Sequence, residues 1–101
     1  MTEQASAPKT LVVTFEEVAD ITSVGELHRH LCQALEAGQP VEFRGRRCER
    51  MDTAVLQTVY AYYRAAKARG LPVSWRGTSP AVVDAAQRLG LAQGLGLQGN
   101  Q

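Results

Sequence analysis

Apolar residues along the chain fall into blocks whose period alternates between two and 3.6, and each block predicts an element. LVVTF at Leu11–Phe15 is β-branched and aromatic and predicts a strand. Val24, Leu27, Leu31 and Leu35 then recur at helical spacing, which predicts a helix over Val24–Ala37. Ser23 with Glu26 has the capping-box pattern, in which each side chain answers the other's free backbone N–H. Gly38 supplies the left-handed residue that ends such a helix. Beyond Pro40, VEFR at Val41–Arg44 predicts a second strand. From Thr53, a stripe of Val55, Leu56, Val59, Tyr63 and Ala66 predicts a helix reaching Arg69. Lys67 and Arg69 suit the negative end of its dipole, and Gly70 with Pro72 closes it. PVSW at Pro72–Trp75 is the third strand. Ser79-Pro80 pairs an N-cap with proline at the first helical position, and that helix runs to about Leu89 before Gly90.

Strand and helix alternate, so the chain is expected to be an α/β domain with substantially parallel pairing: a mixed sheet of about four strands with interleaved helices. Right-handed crossovers place helix starts at the carboxyl edge of the sheet, and Thr53 with them. The domain is expected over residues 11–97, with disordered tails at 1–10 and 98–101. In LAQGLGLQGNQ one last apolar turn is expected before the chain loosens. Tyr63 is placed in the core by its position on the helix stripe, with Tyr60 and Tyr62 towards the flanks, and Trp75 in sheet packing.

At 101 residues the length is that of one domain. A formal net charge of +1 argues against general nucleic-acid binding, which normally calls for a basic chain. Cys32 and Cys48 form no framework or C-x-x-C pair and read as free thiols of a reducing compartment. The first residues, MTEQASAPKT, hold no apolar signal core, and no apolar run is long enough to insert in a membrane. A soluble cytoplasmic protein is expected, as a monomer or weak dimer.

The search for chemistry returns little. Gly94-Leu-Gly96-Leu-Gln-Gly99 spells G-x-G-x-x-G, yet no helix follows to receive a pyrophosphate, so it reads as flexible tail. His28 and Cys32 lie one helical turn apart, but nothing completes a zinc ligand set; a solvated His beside a semi-buried Cys is expected, and no metal. Neither a nucleophile elbow nor a Walker loop is present, and no enzyme or cofactor is expected.

What stands out is RGRRCERMDTAVLQ at Arg44–Gln57. Arg44, Arg46, Arg47 and Arg50, offset only by Glu49, give this loop a net charge of +3. It reads as a solvated loop that protects a sheet edge, as a phosphate-capturing loop, or as a dock for an acidic partner. Asp52–Thr53 likewise reads two ways. Either residue can be the N-cap of the helix, or Thr53 is an exposed hydroxyl whose phosphate would meet the helix dipole and free N–H groups.

From Met51 to Leu91 the sequence MDTAVLQTVYAYYRAAKARGLPVSWRGTSPAVVDAAQRLGL resembles the STAS domain, the fold of bacterial anti-sigma factor antagonists. The matching features are Asp52-Thr53-Ala54 with Leu56 at a helix start, closure at Arg69-Gly70, PVSW, Ser79-Pro80-Ala81-Val82 and Leu89-Gly90-Leu91. Order and spacing carry the resemblance well over Val41–Leu97 and more loosely over Leu11–Ala37. It implies a non-enzymatic bacterial regulator of transcription and signal transduction, in which Thr53 is the phosphoacceptor and Asp52 the neighbouring acid. The implied partner is an anti-sigma factor or a serine- or histidine-kinase-like regulator, released by phosphorylation. Arg46, Arg47, Arg50, Asp52, Thr53, Ala54 and Gln57 are the expected contact surface. An alternative role that the resemblance implies is the small STAS subunit of a phospholipid-transport ABC complex, docked on its ATPase. The chain departs from the pattern at Phe43–Arg46, where Arg44 and Gly45 replace an acid and an apolar residue. Cys48 and Met51 occupy apolar slots, and Cys48 is expected to be a buried small hydrophobe.

Overall fold

A computed structural model describes residues 9–97 of the chain. The expected tails at 1–10 and 98–101 lie almost wholly outside those residues; Lys9 and Thr10 are described, and both are exposed. The elements in chain order are β1 (Leu11–Thr14), β2 (Val18–Ala19), a 3-10 turn (Ile21–Ser23), α1 (Val24–Ala37), β3 (Val41–Arg44), β4 (Arg50–Met51), α2 (Thr53–Ala68), β5 (Val73–Trp75) and α3 (Pro80–Arg88).

The α/β alternation holds, but the sheet is not mixed as expected: among the described residues every strand pairing is parallel, because each successive strand of the main sheet is reached through a helix. The main sheet has the order β1-β3-β5, with Leu11 beside Val41 and Val41 beside Val73. β2 and β4 form a second, two-residue sheet that the hydrophobic pattern does not announce. Alternation along the main strands turns Val41 and Phe43 fully inward, while Arg44 faces solvent. Phe43 is the hub of the core: its ring lies 5.1 Å from that of Trp75, 6.0 Å from Phe15 and 6.2 Å from Tyr62.

Local chemistry explains the helix ends. α1 stops at Gly38, which takes φ 71°, and its C-terminal Leu35 carbonyl accepts from the Arg69 guanidinium at 2.8 Å. Arg69 thus serves the neighbouring helix end as well as its own. Ser79 Oγ accepts from Val82 N, and Pro80 opens α3 as expected.

Four further expectations need correction. The capping box is not formed: Ser23 Oγ donates to the Asp20 carbonyl, and Glu26 pairs with Arg29 at 3.6 Å. The chain enters α1 through the 3-10 turn, whose cap is Asp20, so Ser23 is already in helical backbone. On α2 the buried tyrosine is Tyr62, with Tyr63 only half-buried, because the Tyr62 ring meets the edge of Phe43. Cys32 is exposed rather than semi-buried. The Gly94–Leu97 segment is packed turn rather than loose tail: Leu95 and Leu97 are buried, and Leu97 N donates to the Ala92 carbonyl. Gly94 lies so close to Tyr60 that a Cβ there would sit 2.8 Å from the ring. Gly99, the last glycine of the motif, is outside the described residues.

Candidate functional site

The start of α2 is held by the small sheet in front of it. Ala19 pairs with Met51, and the Ala19 carbonyl accepts from Asp52 N at 2.9 Å. The chain leaves that contact into α2 on one side and into the 3-10 turn on the other, so Ile21 and Thr53 belong to one surface. Met51 and Cys48 are buried beneath it, as their apolar slots predict. Burial pushes the Cys48 thiol above its ordinary value, and the thiol donates to the Arg50 carbonyl at 3.2 Å.

Thr53 is the first helical residue and is exposed. Asp52 is the N-cap, with extended backbone at φ −73° and ψ 152°. Its carbonyl accepts from Val55 N and Leu56 N, but its carboxylate makes no capping bond. That carboxylate instead faces Arg50, 3.5 Å from Nε. The two readings of Asp52–Thr53 therefore separate: Asp52 caps through its backbone, and the Thr53 hydroxyl stands clear. Because no side chain caps the first turn, its leading N–H groups remain open to an anion.

The expected contact residues do not form one patch. Arg50, Asp52, Thr53, Ala54 and Gln57 gather at the α2 start, with Ala54 and Gln57 turned towards α1. Arg46 and Arg47 instead line a recess of about 440 Å³ with Glu17, Glu49, Ser79 and Pro80, at the start of α3. Arg46 lies across Gly77, where a Cβ would meet its Nε at 3.1 Å. The loop charge is also less free than a net +3 suggests. Arg44 pairs with Glu42 at 2.6 Å, Arg47 reaches Glu16 at 4.0 Å, and Arg50 has Asp52. Gly45, where the family pattern has an apolar residue, is buried under Trp75; a Cβ there would sit 3.3 Å from that ring.

Two residues that the sequence reading passed over complete the surface. Ile21 is 66% exposed and Val18 51%, both beside the α2 start. Their signal was present: apolar residues in a non-periodic stretch between elements have no core face to fill. Asp20, between them, accepts from the Thr22 hydroxyl and backbone N–H, and these bonds hold its carboxyl below the usual range. Among the described residues no group of His, Cys, Asp or Glu is arranged to hold a metal ion.

With the fold and this surface in place, the chain's relationships fall into line. Residues 2–99 match the family profile described as "Mlab, STAS domain". The chain belongs to this STAS-domain family, whose members are regulatory rather than enzymatic. Its fold is shared by the solved structure of the anti-sigma factor antagonist SpoIIAA in its unphosphorylated form. The two superpose with a TM-score of 0.74 at 20% sequence identity, over 92% of this chain and 82% of SpoIIAA. No curated protein matches the sequence. Among the described residues no helix is long and apolar enough to cross a membrane.

Proposed function

We propose that this protein is a non-enzymatic switch of the anti-sigma factor antagonist kind, which binds a partner protein through the α2 start and is controlled by phosphorylation of Thr53. The observation that carries the reading is the exposed Thr53 hydroxyl on a first turn that no side chain caps, because the Asp52 carboxylate turns to Arg50. A phosphate there adds a charge of about −1.5 to −2. The helix dipole and open N–H groups stabilise that charge on the free domain. The same charge beside Ile21 and Val18 opposes an apolar contact across this surface. Phosphorylation would then favour the unbound state. The fold shared with SpoIIAA supports an anti-sigma factor of the kinase type as the partner, in a bacterial cytoplasm.

The test is intact mass of the chain recovered from its source cells, with and without phosphatase. The reading expects a phosphatase-sensitive form carrying one phosphoryl group, mapped to Thr53 and absent in Thr53→Ala. A chain that remains unmodified in every growth state contradicts it.

The Mlab description of the matching family favours a second reading, the small subunit docked on the ATPase of a phospholipid-transport ABC complex. In that reading Thr53 lies in a constitutive contact and needs no phosphate. Co-purification with an ATPase, together with unmodified Thr53, distinguishes it.

A further inference from the structure

Helical spacing puts His28 and Cys32 of α1 one turn apart on the same face, and both are exposed. Their ligand atoms meet: Cys32 Sγ lies 3.5 Å from His28 Nε2, the nearer of the two ring nitrogens. That is the separation a shared metal ion requires. With Zn–S about 2.3 Å and Zn–N about 2.0–2.1 Å at a tetrahedral angle, sulfur and nitrogen on one zinc stand about 3.5–3.6 Å apart. The pair thus has the bite of a two-ligand chelate as it stands. Within one chain no third ligand joins it among the described residues. His30 lines a different cleft, with Val13 and Leu27, and Cys48 is buried. Alongside the pair runs a groove of about 550 Å³ between α1 and α2. Leu31, Leu35, Ala61 and Ala65 give it apolar walls, and no Asp, Glu, Lys or Arg lines it.

We propose that His28 and Cys32 are one half of a zinc site, which a second copy of this chain completes with its own pair. Two His–Cys pairs related by a twofold axis make a closed tetrahedral set of two sulfurs and two nitrogens, the set that suits zinc. Each thiol gives up its proton to solvent as it binds, and each imidazole coordinates through Nε2 in its neutral form. A second copy is the occupant because it carries both missing ligands, already at the right spacing. The same approach brings it over the mouth of the groove, so apolar burial adds to the metal bonds. The site does not depend on the function proposed for Thr53, although Ala54 and Gln57 of the α2 start share the groove.

The probe is cobalt(II), which in a tetrahedral thiolate site gives intense visible bands and a thiolate-to-metal charge-transfer band. Titrated into the full chain under a phosphine reductant, it should produce both, saturating at one ion per two chains, and zinc should bleach them. In sedimentation velocity, zinc should double the mass of the monomer and EDTA should reverse the change. His28→Ala and Cys32→Ser should each abolish the bands and the association. Both side chains are exposed, so circular dichroism should stay native in each variant. His30→Ala, on the other cleft, should change neither signal. Absence of the tetrahedral bands with wild type overturns the proposal. So does saturation at one ion per chain without association, which would remove the second copy, or bands that survive His28→Ala, which would put the metal elsewhere.

Discussion

Replacing Gly94 by alanine should loosen the packing of the C-terminal turn on α2. The added Cβ would stand 2.8 Å from Tyr60 Cε1, closer than real Cβ contacts come. Gly94 does not have positive φ, so the backbone tolerates alanine and the cost is steric. Two responses are open. The half-buried Tyr60 ring can shift, an overpacking adjustment of about 1–3 kcal/mol. Alternatively the turn lifts away and exposes Leu95 and Leu97, at about 1.5–3 kcal/mol for each side chain. The cheaper response sets the result, so a loss of about 1–3 kcal/mol is expected. With about 4–8 °C per kcal/mol for a domain near this size, the midpoint should fall by about 4–24 °C. Thermal and urea unfolding followed by circular dichroism measure it. A double-mutant cycle assigns the cause: with Tyr60→Ala in place, Gly94→Ala should cost much less. Wild-type stability in Gly94→Ala, or an equal cost in both backgrounds, refutes the packed turn.

The other predictions concern the thiols, pH and the proposed docking surface. Ellman titration of the folded protein should find only Cys32, which is exposed, and unfolding should release Cys48, which is 1% exposed. Stability should fall as pH rises above about 9. Burial raises Cys48 from 9.0 and Tyr62 and Tyr63 from 10.0, so the folded state holds protons that the unfolded state has released. Their contribution is full below those ordinary values and is lost as pH climbs through the folded ones; Cys48→Ala should flatten the first part of the decline, and a flat profile to pH 10.5 would contradict the burial argument. Ile21→Asp should leave thermal stability near wild type, since the side chain is mostly exposed, yet weaken partner capture about fivefold or more if Ile21 anchors the contact.

The elements most legible in the sequence are those with local punctuation. Val24–Ala37 is bounded correctly because periodic leucines end at a glycine that must adopt left-handed backbone. The start of α3 is equally plain because Ser79-Pro80 carries its own capping chemistry. What escaped depends on distant partners. Two residues such as Val18–Ala19 show no period, and they form a strand only because Arg50–Met51 comes alongside. Tyr62 and Tyr63 both follow Val59 at helical spacing, so periodicity cannot choose between them; the edge of Phe43 does. The glycine-rich tail looks loose by composition, yet Leu95 and Leu97 have core positions to fill.

At the candidate site the sequence located Thr53 and the helix start. It did not locate the Asp52 carboxylate, whose choice of Arg50 over the helix N–H groups is a matter of geometry. It also placed the arginines in one loop, while the buried Cys48 and the small sheet divide them between the α2 and α3 starts. The charge in front of Thr53 is thus mainly Arg50, already opposed by Asp52.

The proposed switch requires that the α2 start bind a protein partner and that charge on Thr53 end the contact. The most direct measurement is affinity capture from source-cell lysate with wild type, Thr53→Ala and Thr53→Glu in parallel, quantified by mass spectrometry. A kinase-type anti-sigma factor should be retained by wild type and Thr53→Ala and lost from Thr53→Glu. Equal retention of the same partner by all three proteins would contradict it.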